Sequence, residues 1–164
     1  MTFTVREPRV QEAAEIADVH VTTWRETYTD LLPDGFIDDD HVRARHRMWA
    51  TLLADPREEW IVRVAERDGA VIGLAMAGPA NGQEGEPAPR ERQLYMLYVL
   101  AAEHGRGAGQ ALLDAVLGEE PAMLWVAKEN PRAVAFYRRN GFRFDGAEQQ
   151  DPLAPKIVDA RMVR

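Results

Sequence analysis

Apolar residues between Val10 and Tyr28 recur every three or four positions, at Ala13, Ile16, Ala17, Trp24 and Tyr28, with His20 on the same stripe. That spacing predicts a helix. Leu31-Leu32-Pro33-Asp34-Gly35 breaks it, and a second helix is expected from Ile37 to Leu53, with Val42, His46, Trp49 and Leu53 on one face and Asp55-Pro56 beyond its end. A short strand over 3–6, closed by Pro8, precedes both helices. The period then changes. Trp60–Ala65 and Val71–Met76 read as two strands of a hairpin turning at Asp68-Gly69. Pro79 to Arg90 is rich in Pro, Gly and Glu and reads as a flexible loop. Gln93 to Leu100 is apolar on both faces, the mark of a central strand covered from both sides. A Gly-rich turn, a helix over Gly107–Leu117, a buried strand over Met123–Ala127 and a helix over Pro131–Asn140, stopped by Gly141, follow in turn. Phe142–Phe144 and Ile157–Val163 end the pattern as strands. The expected fold is a mixed α/β sheet with helices on both faces.

The chain has 164 residues, and residues 1–164 are expected to form one domain. Hydrophobic residues make up 46% and charged residues 29%, the balance of a globular protein with a proper core. No apolar run approaches the ~20 residues of a membrane span, and Met1–Arg6 lacks the basic start and apolar stretch of a secretion signal. Cytoplasmic location without membrane association is therefore the expectation. Neither cysteine nor serine occurs, which excludes disulfides, thiolate metal sites and cysteine or serine nucleophiles. His20, His41, His46 and His104 lack ligand spacing, so no metal is expected. A net charge of −7 disfavours a nucleic-acid partner.

The strongest chemical signal is His104-Gly105-Arg106-Gly107-Ala108-Gly109, between the central strand and a helix. Three glycines within five residues let a ligand approach the backbone, and the helix start offers N–H groups with no helical partner. Together with the helix dipole they suit a pyrophosphate. Two familiar phosphate loops do not fit. No Lys follows the glycines as a P-loop requires, and Gln110 stands where a dinucleotide fingerprint needs its third glycine.

The turn and its surroundings resemble the GNAT acetyltransferase family. Leu97-Tyr98-Val99 and the Gly turn are similar to its acetyl-CoA motif, Arg/Gln-x-x-Gly-x-Gly/Ala, with Gly107 and Gly109 on the glycines and His104 in place of Arg or Gln. Trp125–Ala133 and Phe136–Phe142 resemble the family's second half, and Trp24–Pro33 the first-helix region of bacterial members. The resemblance implies a mostly antiparallel sheet splayed at the central strand. It implies acetyl-CoA as co-substrate, with backbone groups of Leu97 and Val99 on the pantetheine arm, His104–Gly109 (His104, Gly105, Arg106, Gly107, Ala108 and Gly109) around the pyrophosphate, and Asn130 as a further cofactor contact. Tyr137 would protonate the departing thiolate, and Trp24 and Tyr28 would line the acceptor pocket. Among relatives a homodimer is common.

The acceptor would be a small-molecule or peptide amine, attacked directly in a ternary complex. Rival readings remain for single residues: Asn130 as a helix N-cap before Pro131, Tyr137 as a core aromatic beside Phe136 and Phe142, Trp24 and Tyr28 as core aromatics. The general base is not legible, because Gln93 stands where many relatives carry a strand carboxylate and Glu91 lies at the strand's outer end. A non-catalytic acyl-CoA-binding or regulatory domain of the same fold is the alternative reading.

Overall fold

In a computed structural model, residues 2–164 are described. The elements are β1 (Thr4–Arg6), α1 (Ala13–Tyr28), α2 (Asp39–Ala54), β2 (Ile61–Arg67), β3 (Ala70–Pro79), β4 (Arg92–Val99), α3 (Ala108–Leu117), β5 (Met123–Ala127), α4 (Pro131–Arg139), β6 (Arg143–Gln149) and β7 (Asp159–Val163). One seven-stranded sheet runs in the order β1-β2-β3-β4-β5-β7-β6. Every pairing is antiparallel except β4 with β5. This is the mixed sheet expected from the pattern, and mostly antiparallel as the family resemblance implies.

Local chemistry sets the boundaries. The Asp38 side chain accepts from the His41 backbone N–H at 2.8 Å, so α2 starts at Asp39 rather than Ile37. Asp68 and Gly69 have φ of 53° and 80°, a pair of left-handed residues that reverses β2 into β3 with the twist a hairpin needs. Residues 80–91, largely the stretch expected as a loop, connect β3 to β4 and carry an isolated bridge, Gln83 to Glu86. Ala80 donates to Glu91 O at 2.9 Å, Glu86 to Gln83 O at 2.9 Å, and the Arg90 side chain to Arg164 O at 2.8 Å. β6 runs on to Gln149, past the expected end at Phe144, through a register shift beside Gly146.

Two cores flank the sheet. On one face Ile16, Ala17 and Val19 of α1 and Trp49 and Leu53 of α2 pack on Val64, Val71 and Leu74. On the other, Leu112, Leu113 and Val116 of α3 and Val134 and Tyr137 of α4 cover Ala65, Ile72, Ala75, Leu94, Leu124 and Val126. β3 lies between the two and is buried from Val71 to Gly78. Small residues along it let the layers approach. A Cβ on Gly73 would sit 2.8 Å from Tyr98 O.

β4 carries the irregularity that shapes the site. Met76 pairs with Met96 and Ala77 with Leu94, so Tyr95 is an extra residue in its strand. Its ring lies 5.0 Å from that of Trp60, and its hydroxyl donates to Pro79 O at 2.5 Å. Beyond the bulge β4 parts from β5: only Gln93↔Met123 and Leu94↔Leu124 are paired. Leu100 N–H bonds Ile72 O at 3.0 Å, which turns the backbone groups of even-numbered neighbours toward β3. Those of Leu97 and Val99 therefore face the gap.

Candidate active site

The gap between β4 and β5 opens into a cleft of about 960 Å³. One wall is the Gly turn. Gly105 and Gly107 have φ of 78° and 92°, a region in which a side chain is strained, and Gly107 is the N-cap of α3. The first helical bond of α3 is Ala111 N–H to Gly107 O, at 3.0 Å. The N–H groups of Ala108, Gly109 and Gln110 thus have no partner within the helix, and they stand at its positive end. His104 Nε2 lies 2.9 Å from Val99 O and satisfies a carbonyl that faces the gap.

The opposite wall is α4. Asn130 Oδ1 accepts from Ala133 N–H at 3.2 Å, which caps the helix, and Pro131 occupies its first turn. The same side chain lines the cleft and lies against the Tyr28 hydroxyl, close enough to oppose the upward pull of burial on that phenol. Capping and cleft-facing roles are therefore compatible in one residue. Tyr137 follows on the same face and is 8% exposed. Its ring meets Phe136 and Phe142 edge-on at 5.4 and 5.9 Å, and its hydroxyl makes no hydrogen bond among the described residues. It belongs both to the core and to the cleft lining. Burial raises its pKa, helped by the neighbouring Tyr98 and Tyr28 hydroxyls, so the phenol stays protonated at neutral pH.

A third side comes from α1. Trp24 and Tyr28 line the cleft with ring centroids 4.9 Å apart. The Trp24 indole N–H is buried and points near the Tyr98 hydroxyl without reaching hydrogen-bond geometry. Burial pushes Tyr98 up to about 12. Behind it His20 stacks on the Tyr98 ring at 4.9 Å, and its Nδ1 accepts from Trp49 Nε1 at 3.1 Å. Burial, with Arg45 and His41 nearby, lowers His20 to about 4, so the imidazole is neutral and packs as a core ring.

Of the residues expected at a site, Trp24, Tyr28, Leu97, Val99, His104, Gly105, Gly107, Ala108, Gly109, Asn130 and Tyr137 all line this one cleft. Arg106 is exposed and does not line it. Gln93 is buried and accepts from Asn81 N–H at 3.1 Å, a bond that ties the hairpin to the sheet. Glu91 is exposed at the strand's end.

The cleft also gathers residues that the sequence pattern did not single out. Arg132 and Arg139 of α4 line it together with the Gly turn. Away from the turn, Phe36, Asp151, Ala154, Ile157 and Asp159 join Tyr28. The Asp159 carboxylate is half-buried and makes no hydrogen bond or ion pair among the described residues. Burial raises its pKa, and Glu129 and Asp151 raise it further. Arg132 and Arg139 thus stand with the Gly turn, and Asp151 and Asp159 with Tyr28. Among the described residues no group of His, Cys, Asp or Glu could hold a metal ion, and no helix is long and apolar enough to cross a membrane.

Comparison with known proteins agrees with this architecture. The profile of the acetyltransferase (GNAT) family matches residues 16–142. An uncharacterized N-acetyltransferase of Bacillus subtilis, YuaI, is 32% identical over 142 residues, covering 82% of this chain and 77% of its own. A probable N-acetyltransferase of Mycobacterium tuberculosis is 27% identical over 148 residues, 87% of this chain and 80% of its own. The crystal structure of PaiA N-acetyltransferase from Thermoplasma acidophilum in complex with coenzyme A superimposes with a TM-score of 0.72 at 16% identity, covering 98% of each chain.

Proposed function

The chain belongs to the GNAT acetyltransferase family, and from that membership and the cleft we propose that it moves the acetyl group of acetyl-CoA directly onto a primary amine, acting as one domain. The observation that carries this reading is the convergence of three features on one cleft: unpaired backbone on β4, a Gly-turn helix start, and the Tyr137 hydroxyl. The coenzyme A bound to the PaiA relative supports the choice of donor.

The residues fit the donor by their chemistry. Backbone groups of Leu97 and Val99 would bond an extended amide arm as a neighbouring strand would. The Ala108, Gly109 and Gln110 N–H groups would hold the pyrophosphate, with Arg132 and Arg139 adding positive charge. Asn130 would hold the arm near the point where the strands part. The thioester supplies the activated acetyl group. Tyr137 gives its phenolic proton to the departing sulfur, a role suited to a hydroxyl that burial keeps protonated. Trp24 and Tyr28 border the space left for the acceptor. No serine or cysteine stands in the chain to form an acyl-enzyme, in keeping with direct attack in a ternary complex.

The test is acetyl-CoA turnover over a panel of primary amines, read as free CoA, with calorimetry for CoA and NAD. Micromolar CoA binding, about −8 kcal/mol, and CoA release with at least one amine are expected. Equal or tighter binding of NAD would overturn the donor assignment. CoA binding with no turnover on any amine would favour the non-catalytic reading.

A further inference from the structure

We propose that Asp159 is the base that takes the proton from the acceptor's ammonium group, an assignment that rests on the acetyl-transfer reading above. Its position is the first argument. β7 inserts between β5 and β6, pairing Asp159 with Ala127 on one side and Gln149 on the other. That register delivers the first side chain of β7 into the cleft beside Tyr28, between the end of α1 and the turn before β7. Among the described residues, the other carboxylates that line or border the cleft are bound or exposed. Glu129 accepts from Val158 N–H at 2.5 Å, Glu26 from Ala101 N–H at 3.1 Å, and Glu103 is paired with Arg67. Asp151 lies on the exposed loop before β7.

The surroundings suit proton uptake. The charged and titratable groups around Asp159 are Glu129 from the β5–α4 turn, Asp151 from the loop before β7, Tyr28 from α1, Tyr98 from β4, and Arg161 on its own strand. Arg161 binds Asp145 through Nε at 2.6 Å and lies over the Trp125 ring, with Nη1 buried and unpartnered among the described residues; the pKa of Asp159 is set by burial, Glu129 and Asp151. Asp159 therefore faces two negative neighbours and two neutral phenols, in a half-buried site. Both conditions favour its protonated form and bring its proton affinity toward the working pH. The same field attracts a cation.

The proton balance closes. An alkylamine enters as ammonium, and one N–H bond breaks as an O–H bond forms on Asp159. The freed lone pair forms the N–C bond at the thioester carbonyl, and the C–S bond breaks. Tyr137 gives its proton to sulfur and recovers one from the nitrogen, which has become an amide. Asp159 returns its proton to solvent. No oxidant, metal or further reactant is needed.

The experiment compares Asp159→Asn with the wild type, using acetyl-CoA and a panel of alkyl monoamines, diamines and amino-acid amides, across pH 6 to 10. For the best wild-type acceptor, kcat/KM of the variant is expected to fall by ~10²–10³-fold near pH 7, within the range for a lost general base. Its profile should lose the limb set by Asp159 and recover at high pH, where free amine is abundant. CoA affinity by calorimetry and the melting temperature should be unchanged, because Asp159 makes no bond that the fold needs. A rise in KM with kcat and profile retained would make Asp159 an anchor and overturn the base assignment. So would unaltered kinetics. Wild-type protein that releases no CoA with any amine would instead overturn the parent reading.

Discussion

Replacing Tyr137 with phenylalanine removes one oxygen from a ring that is 8% exposed and packed edge-on against Phe136 and Phe142. The hydroxyl has no hydrogen-bond partner among the described residues, so its loss breaks no bond there. It lines the cleft and is not among the buried polar atoms left without a partner, so water can serve it and no desolvation penalty is relieved. The melting temperature of Tyr137→Phe should therefore stay within about 2–4 °C of the wild type, the shift that ~1 kcal/mol gives at this chain length. Tyr137→Ala would instead leave a ring-sized void and cost ~3–5 kcal/mol. Turnover should respond in the opposite way. Losing a general acid lowers rate by ~10²–10⁴-fold, or about 3–5 kcal/mol of barrier. The pH dependence carries a sign. Burial raises the phenol above its ordinary value, so it remains a donor through neutral and mildly alkaline pH. Wild-type kcat should then show no fall from this group below pH ~10. Thermal melts and free-CoA release on wild type and variant decide the matter. A variant that melts several degrees lower and keeps its turnover would mean that Tyr137 is a core residue and nothing more.

Three further outcomes are expected. Gly109→Val should fold, because its Cβ meets only Phe136 at 3.9 Å, yet its side chain should lower CoA affinity at least tenfold by calorimetry; normal affinity would move the phosphate cradle elsewhere. Asn130→Ala removes the α4 cap and should lower stability by ~1 kcal/mol, a loss of roughly 2–4 °C in a thermal melt; an unshifted melt would contradict the capping bond. His20, lowered to about 4 from 6.5, binds its proton in the unfolded chain before the folded one. Stability is then fully present above pH 6.5 and lost as pH falls toward 4, by up to about 3 kcal/mol. Denaturant titrations across that window should give a shallower slope for His20→Asn, and an equal slope would locate the acid sensitivity in other groups.

The elements were legible because each has its own period and punctuation: the Ala13–Tyr28 stripe, Asp68-Gly69, Gly107 and Gly141 all mark what they mark in the fold. So were two walls of the cleft, since the Gly turn, Asn130 and Tyr137 lie in short local motifs. The end beside Tyr28 and Asp159 was not. Asp159 reaches the cleft only because β7 slips between β5 and β6, a pairing between distant segments that no local pattern encodes. The bulge at Tyr95 was hidden for the same reason, since an extra residue in β4 shows only against the register of β3. The segment from Pro79 to Arg90 was legible as a loop by composition. The bonds of Ala80, Glu86 and Arg90 that tie it down were not, because two of them join it to residues outside the segment.

The parting of β4 from β5 has a price in the free protein. An unpaired strand is ordinarily a hazard at the rim of a sheet, where it can recruit another chain. Here the unpaired stretch lies in the sheet's interior, with α1 against one face of β4 and α3 against the other. Other proteins are kept from it by cover rather than by charge or by a short strand. Water must meanwhile serve the backbone groups of Leu97 and the N–H of Val99, whose carbonyl His104 takes, at a seam where the two halves of the sheet share two residue pairs. A ligand that filled the seam would act as mortar, binding the folded form alone and raising its stability with concentration.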